Sequence, residues 1–225
     1  MIGTIANTCT ILLGSFIGSV FKKGIKKEHQ DALYTAMGLA ATGLGINAVV
    51  QNMPNSTYPV LFIASLAIGS LIGTIIDVDG HFQKLADRLS VGELSKGLST
   101  GILLFCIGTL SILGPIQAAL YQDHTYLFTN ATLDFVTSMV LASTYGRGMM
   151  LTAPVLFCWQ GAIYLLATLL GDFMSTDMMT ELSIVGGFLI ASSGISILNI
   201  KAIKTMNMLP SLAVPIIFCG IAGML

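Results

Sequence analysis

The sequence predicts an all-α polytopic membrane protein with about eight transmembrane helices. Composition, the lengths of uncharged stretches and the placement of basic residues lead to this fold class. Of the 225 residues, 54% are hydrophobic and only 9% are charged, and the mean hydropathy is +0.85. A soluble domain carries about 25% charged residues, so this chain cannot cover the surface of a soluble globule. With a formal net charge of −1, the composition also excludes a nucleic-acid-binding protein, which would carry a basic excess.

The uncharged stretches set the number of helices, because one membrane crossing needs about 20 apolar residues. The stretch 32–76 is too long for one crossing, and turn residues between Gln51 and Thr57 divide it. The stretch 135–146 is too short unless Asp134 belongs to the helix. The sequence therefore predicts helices near 2–21, 32–50, 58–76, 97–119, 132–147, 150–170, 183–200 and 209–225.

The basic residues set the orientation. All ten lysines and arginines fall in the loops after predicted helices 1, 3, 5 and 7. Because positively charged loops stay in the cytoplasm, we expect both termini to lie on the opposite side of the membrane. A wrong helix count would scatter the basic residues over both sides. These residues are Lys22, Lys23, Lys26, Lys27, Lys84, Arg88, Lys96, Arg147, Lys201 and Lys204.

The first three and the last three predicted helices share a pattern of small residues. Since helices 1 and 6 would cross in opposite directions, helices 1–3 and 6–8 would be inverted repeats, a feature typical of secondary transporters. Coincidental glycine spacing for close helix packing is the alternative. The matches are Gly14–Gly18 with Ala167–Gly171, Gly38 and Gly45 with Gly187 and Gly194, and Pro59 and Gly69 with Pro210 and Gly220.

The predicted organisation has four parts. Residues 1–76 form the first repeat, 97–149 a central two-helix hairpin, and 150–225 the second repeat. The loop 77–96 lies between the first repeat and the hairpin. Within it, Phe82, Leu85 and Leu89 share one helical face, which favours a short helix on the inner membrane surface; a solvated loop is the alternative.

Asp134 is the one acid within a predicted span. A charge at the bilayer centre costs about 2.5–3.5 kcal/mol on insertion scales, and less near the outer end where Asp134 is predicted to lie. It could be a first-turn acid that complements the helix dipole, with Asn130 or Thr132 as cap. It could instead be a cation or proton site that faces a cavity.

Several further polar residues of the predicted spans are candidates for contact with a solute. Thr137 and Ser138 share the face of Asp134, although their hydroxyls could bond to their own helix. Gln117 follows the helix-kinking Pro115 and could neighbour Asp134 across the hairpin, or be a satisfied side chain at a structural kink.

Two symmetry-related pairs complete the candidates. Asn7 and Gln160 correspond between the repeats and could form a site on the pseudo-twofold axis, or act as hydrogen-bonding helix glue. Asn47 and Ser196 also correspond, and backbone groups near them would be freed if helices 2 and 7 unwind. The predicted substrate- or ion-binding residues are Asp134, Ser138, Thr137, Gln117, Asn7, Gln160, Asn47 and Ser196.

No catalytic motif, metal cluster or cofactor motif is recognisable, so we expect no enzyme and no cofactor. The four cysteines lie in apolar runs without CxxC spacing, and the three histidines lie in predicted loops. Walker and HExxH motifs are absent from the sequence. Arg147 reads as an inner-loop anchor or, alternatively, as an inner gate.

Seven segments spread over nearly the whole chain carry a family resemblance. They are Asn7–Gly14, Gly38–Ile46, Leu103–Cys106, Gly114–Gln117, Leu133–Ala142, Val185–Gly187 and Asn207–Pro210. In these segments the sequence resembles the YdfK/YqgA-like family of bacterial inner-membrane proteins, family 554 among the domains of unknown function. The resemblance implies a multi-pass protein of the bacterial inner membrane and supplies no substrate. Asp134 lies within one of the matching segments.

Together these patterns predict a secondary transporter that moves a small solute or ion by alternating access, with proton or cation coupling through Asp134. A cation or neutral solute fits better than an anion. An ion or solute channel and a non-transporting scaffold or assembly protein are the alternatives. The expected partners are the lipid bilayer and the solute, and the glycine-rich helices are compatible with a homodimer.

Overall fold

A computed structural model describes residues 1–20, 26–89, 95–171 and 174–222, and it contains no β-strand in these ranges. Three 3₁₀ helices, Met53–Asn55, Gly146–Leu151 and Thr205–Leu212, interrupt the α-helical architecture. The α-helices are α1 (Ile2–Val20), α2 (Lys27–Asn52), α3 (Leu61–Ile76), α4 (Val78–Leu89), α5 (Ser95–Ile107), α6 (Thr109–Leu120), α7 (Thr125–Tyr145), α8 (Thr152–Leu170), α9 (Thr176–Ile197) and α10 (Ala213–Ala222).

Five helical stretches of the described chain are long and apolar enough to cross a membrane. Two more arise if each bent pair counts as one crossing: α3 with α4, bent by 48°, and α5 with α6, bent by 43°. One of the five, Thr125–Leu170, contains α7, a 3₁₀ helix and α8. The predicted all-helical membrane architecture is therefore confirmed, whereas the count of eight spans stays a prediction.

The observed helix ends differ from the predicted ones where polar residues lie inside a helix. α7 begins at Thr125 instead of near 132, and α9 begins at Thr176 instead of near 183. Ser175 caps α9, since its Oγ accepts a hydrogen bond from the Met178 N–H at 3.2 Å. The predicted last helix begins as a 3₁₀ helix, and residues 223–225 lie outside the described ranges, as do Lys22 and Lys23.

The segment predicted to form an interfacial helix is helical as α4. Its Phe82 ring packs edge-on against the Trp159 ring, with centroids 5.3 Å apart. The side chain of Leu89 lies outside the part of the chain that is described. The position of α4 at a membrane surface stays a prediction.

The chain divides into two compact units. Unit 1 comprises Met1–Leu33 and His81–Gly171, and unit 2 comprises Tyr34–Gly80 and Asp172–Leu225. Unit 1 thus holds α1, most of α4 and α5–α8, and unit 2 holds α3, α9, α10 and most of α2. Each unit takes helices from both predicted repeats, and the predicted boundaries of those repeats along the sequence stay a prediction.

In unit 1, α1 packs along α7 in the same direction. Gly3 lies against Leu127, and Gly18 lies against the main chain of Met139. The parallel direction follows because both residue numbers rise together. Glycine is needed at Gly18, since a Cβ there would collide with the Met139 carbonyl oxygen.

The other helices of unit 1 also contact each other through glycines. Gly101 lies against Thr152, and Gly171 lies against Leu120, so α8 runs parallel to the α5–α6 pair. A third close contact, Gly114 against Leu127, joins α6 to α7. Between them lies an apolar core formed by Ile11, Ile102, Phe105, Cys106, Ala142, Met149, Ala153 and Leu156.

In unit 2, α2 and α9 cross through their glycines. Gly38 packs on Gly194 and Gly45 packs on Gly187, so the two helices are antiparallel. A Cβ on Gly187 would lie 2.8 Å from the Gly45 carbonyl oxygen. Both helices are continuous through these segments, so the structure does not unwind helices 2 and 7; the small residues instead allow close main-chain contact.

α3 packs on the 3₁₀ helix that precedes α10. Gly69 contacts the main chain of Ser211, and Gly73 contacts the main chain of Asn207. Near the other end of α3, the Tyr58 and Phe218 rings meet edge-on with centroids 4.9 Å apart. The pair is therefore antiparallel along its whole length.

Candidate functional site

Asp134 lies in the interior of unit 1. It is only 5% exposed, and α7 already begins at Thr125, so Asp134 is not in the first helical turn. The interpretation of Asp134 as a capped first-turn acid is therefore wrong. Asn130, one turn earlier, is not a cap: its Nδ2 donates a hydrogen bond to Asp134 Oδ2 at 2.9 Å.

A second amide approaches the same carboxyl group from α1. Asn7 is fully buried, and its side chain interacts with the Asp134 carboxyl group. Its Nδ2, however, makes no hydrogen bond to any described residue. An unpaired buried donor costs about 1–3 kcal/mol. The carboxyl group thus lies beside one bonded amide and one amide with an unused donor.

The helix break between α5 and α6 lies level with Asp134 in the register set by the packing of Gly114 on Leu127. α5 ends at Ile107, Gly108 is extended with ψ 134°, and α6 starts at Thr109. The Cys106 thiol, at the end of α5, is within electrostatic range of the Asp134 carboxylate. A helix end leaves its last carbonyl oxygens without intrahelical donors, so the break can present oxygen atoms toward the acid.

The charge of Asp134 has no basic partner in its own hairpin. Arg147 is the one lysine or arginine between positions 97 and 200. Thirteen residues separate it from Asp134, a distance of about 20 Å along a helix. A buried carboxylate without a counterion is costly, so this carboxyl group is suited to hold a proton or a cation.

Gln160 lies at the α6 side of the same break. Its Nε2 donates to Ser111 Oγ at 3.1 Å, and Ser111 is in the first turn of α6. Gln160 is fully buried, and its Oε1 has no hydrogen-bond partner among the described residues. Asn7 and Gln160 therefore contact different elements, α7 and α6, instead of pairing with each other.

The remaining candidates of unit 1 differ in position. Ser138 is fully buried one turn after Asp134, and its hydroxyl donates to the Phe135 carbonyl oxygen at 3.0 Å. Thr137 is half-buried. Gln117 does not join Asp134, because the antiparallel register of α6 and α7 places Cys106 opposite Asp134. The helix breaks at Gly108, and α6 continues through Pro115.

Asn47 and Ser196 belong to unit 2. Asn47 is exposed on α2, and Ser196 Oγ accepts a hydrogen bond from the Ile203 N–H at 3.4 Å. Because α2 and α9 are continuous, neither residue lies beside an unwound segment.

Glu181, which precedes the predicted helix near 183–200, is a buried acid that the sequence alone did not identify. Glu181 lies within α9 and is 1% exposed. Its Oε1 accepts hydrogen bonds from Ser56 Oγ at 2.5 Å and from the Tyr58 N–H at 3.0 Å. No local signal could have revealed this burial, because the partners are 125 and 123 residues away in the sequence.

Comparison with known proteins gives one family and two relatives. The family described as "Protein of unknown function (DUF554)" matches residues 2–220. "Uncharacterized membrane protein YdfK" of Bacillus subtilis (strain 168) is 58% identical over 215 residues, which cover 96% of this chain and 94% of the relative. "Uncharacterized protein YqgA" of Escherichia coli (strain K12) is 27% identical over 223 residues, with 94% and 93% coverage. No solved structure matches the chain significantly.

Proposed function

The chain belongs to the DUF554 family of membrane proteins, as its motifs predicted, and from this premise we propose that it is a cation- or proton-coupled secondary transporter. The observation that carries the proposal is the buried Asp134 carboxyl group, which lies between two amides and a helix break and has no basic partner in its hairpin. Broken helices and isolated intramembrane acids are the usual components of coupling sites in transporters.

The packing of unit 2 supports inverted repeats. Gly38 corresponds to Gly187, and Gly45 corresponds to Gly194. The contacts exchange the partners: Gly38 meets Gly194, and Gly45 meets Gly187. This reciprocal pattern is the one that a twofold axis between α2 and α9 produces.

The packing of unit 1 extends the same relation to the central hairpin. α1 runs parallel to α7, and its counterpart α8 runs parallel to the α5–α6 pair. A pseudo-twofold axis that exchanges α1 with α8 would therefore exchange α7 with α5–α6. The two helices of the predicted central hairpin, which lies outside both predicted repeats, would then correspond to each other.

Eight membrane crossings are the arrangement that this packing favours. α6 is antiparallel to α7 and parallel to α8, so α7 and α8 run in opposite directions. The 46-residue stretch Thr125–Leu170 would extend about 69 Å as one helix, twice the thickness of the hydrocarbon core. We propose that it turns at Gly146, whose φ is 77°, and makes two crossings.

Alternating access would follow from an exchange of conformations between the two repeats. In this scheme a cation or proton binds at Asp134, where Asn7 and Asn130 orient the carboxyl group. Gln160, on the other side of the break, offers an unused acceptor to a solute. The protein would lie in the bacterial inner membrane with both termini outside the cytoplasm.

A reconstituted flux screen tests this function. Purified protein in liposomes would be assayed with cations, amino acids and weak acids under imposed proton and sodium gradients. Saturable uptake that follows one of the gradients supports a coupled carrier. Unitary currents would instead identify a channel, and the absence of flux across the whole panel would favour a scaffold.

The orientation is tested by cysteine labelling in intact cells. Asn55→Cys and Thr176→Cys are expected to react with an impermeant maleimide from outside, because both positions lie in predicted outer loops, which lack basic residues. The unsubstituted chain controls for reaction of the native cysteines. A cysteine at position 25, which lies outside the described residues, should react only after permeabilisation. Any other pattern contradicts the orientation.

A further inference from the structure

Unit 2 contains a second buried acid that the coupling site does not use. Glu181 is almost fully buried within α9. Its Oε1 holds two groups that precede α3, the Ser56 hydroxyl at 2.5 Å and the Tyr58 N–H at 3.0 Å. One carboxylate oxygen therefore fixes the entry of another helix.

The Glu181 contact lies just before the start of α3. Val60 occupies the N-cap position of α3, and no side chain of its own segment makes a cap hydrogen bond there. The Leu61 N–H bonds to the Tyr58 carbonyl oxygen at 2.8 Å, so residues 58–61 form the turn that leads into the helix.

The opposite end of α3 is held by a different kind of contact. Asn207 Oδ1 accepts a hydrogen bond from the Asp79 N–H at 2.8 Å. Lys204 Nζ lies 3.5 Å from Asp79 Oδ2, and the lysine side chain is largely exposed. The Asn207 amide and a partly exposed ion pair therefore hold the C-terminal end, whereas the N-terminal end depends on the Glu181 carboxyl group.

We propose that Glu181 is a second proton-binding site, separate from Asp134, and that its ionised carboxylate latches residues 56–58 to α9. Proton uptake converts the carboxylate into a neutral acid, and charge-assisted hydrogen bonds are roughly twice as strong as neutral ones. The protonated state therefore releases the start of α3. A proton on Glu181 would thus open one end of unit 2 while Asn207 keeps the other end closed.

The groups that face Glu181 come from three elements. Asp177 lies one turn earlier on α9 and is exposed. The Cys219 thiol of α10 is buried and lies within electrostatic range of both Glu181 and Asp177. On the α3 side, the Tyr58 ring packs on Phe218, the residue before Cys219. Release of the latch should therefore uncover Cys219.

Alkylation of the native Cys219 by a maleimide, quantified by peptide mass spectrometry on the purified full chain, tests the latch. Glu181→Gln keeps the size of the side chain but cannot be ionised. We expect it to raise the labelling rate at neutral pH about tenfold, the factor that corresponds to about 1.4 kcal/mol. The ratio of the Glu181→Gln rate to the unsubstituted rate should approach one as the pH falls and Glu181 itself takes a proton.

Two further variants separate the latch from other effects. Asp177→Asn removes the other acid near Cys219 without removing a latch bond, so it measures the electrostatic effect on the thiol alone. Ser56→Ala breaks one latch bond without changing charge, and it carries the test if Glu181→Gln fails to fold. We expect Ser56→Ala to raise the labelling rate at neutral pH.

The proposal is overturned if Glu181→Gln labels no faster than Asp177→Asn, if Ser56→Ala labels like the unsubstituted chain, or if the rate ratio does not change with pH. None of these measurements requires transport. A failure of the transport function would therefore leave the labelling result interpretable, and the reverse also holds.

Discussion

Asp134→Asn is expected to abolish gradient-driven uptake while leaving expression and membrane insertion intact. The amide has nearly the shape of the carboxyl group, so the contact with Asn130 and the packing of α7 can persist. It cannot carry a proton or balance the charge of a cation, so the coupling step is lost. The measurement is uptake into proteoliposomes under the gradient identified by the flux screen.

Asp123→Asn is the matched control. Asp123 is an exposed acid just before α7, and its Oδ1 accepts a hydrogen bond from the Thr125 N–H at 2.9 Å. The same chemical change there should leave uptake near the level of the unsubstituted chain, because an asparagine also accepts this bond. Unchanged uptake in Asp134→Asn would remove Asp134 from the mechanism.

Gly14→Val is expected to cause the largest loss of stability. A Cβ at Gly14 would collide with the main-chain carbonyl oxygen of Phe135 and with the Ser138 hydroxyl. Backbone cannot rotate away as a side chain can, so α1 must separate from α7. Overpacking in a dense interior costs about 1–3 kcal/mol or more. Thermal unfolding in detergent and the yield of folded protein measure the loss.

Gly43→Ala controls for the loss of a helical glycine. No atom lies within 4 Å of a Cβ at Gly43, and alanine favours a helix over glycine by about 1 kcal/mol. This variant should match or exceed the unsubstituted chain in stability. If Gly14→Val were as stable as Gly43→Ala, the close parallel contact between α1 and α7 would be wrong.

Local patterns predicted the helices whose ends coincide with a change from polar to apolar residues. α1, α3 and α8 begin and end within about three residues of the predicted positions, which is the usual precision of helix boundaries. The sequence also paired Gly38 with Gly187 and Gly45 with Gly194. It could not show which glycine packs on which, because that depends on how two distant helices cross.

The misplaced features have different causes. Glu181 precedes the predicted helix near 183–200, because acids are costly in a membrane, but partners in the other half of the chain satisfy it. The start of α7 was placed too late because Asn130 resembles a cap; the residue instead bonds to Asp134. The break at Gly108 had only a Gly-Thr pair as its local signal. Pro115 is the stronger signal for a kink, but α6 continues through it.

The parallel contact between α1 and α7 has a consequence for biogenesis. α1 leaves the ribosome about 120 residues before α7, which amounts to roughly ten seconds at ordinary elongation rates of 5–20 residues per second. During that interval the polar face of α1, with Thr4, Asn7 and Ser15 buried in the finished protein, has no α7 to cover it. The nascent helix should therefore remain beside the insertion machinery, shielded from acyl chains, until its partner emerges.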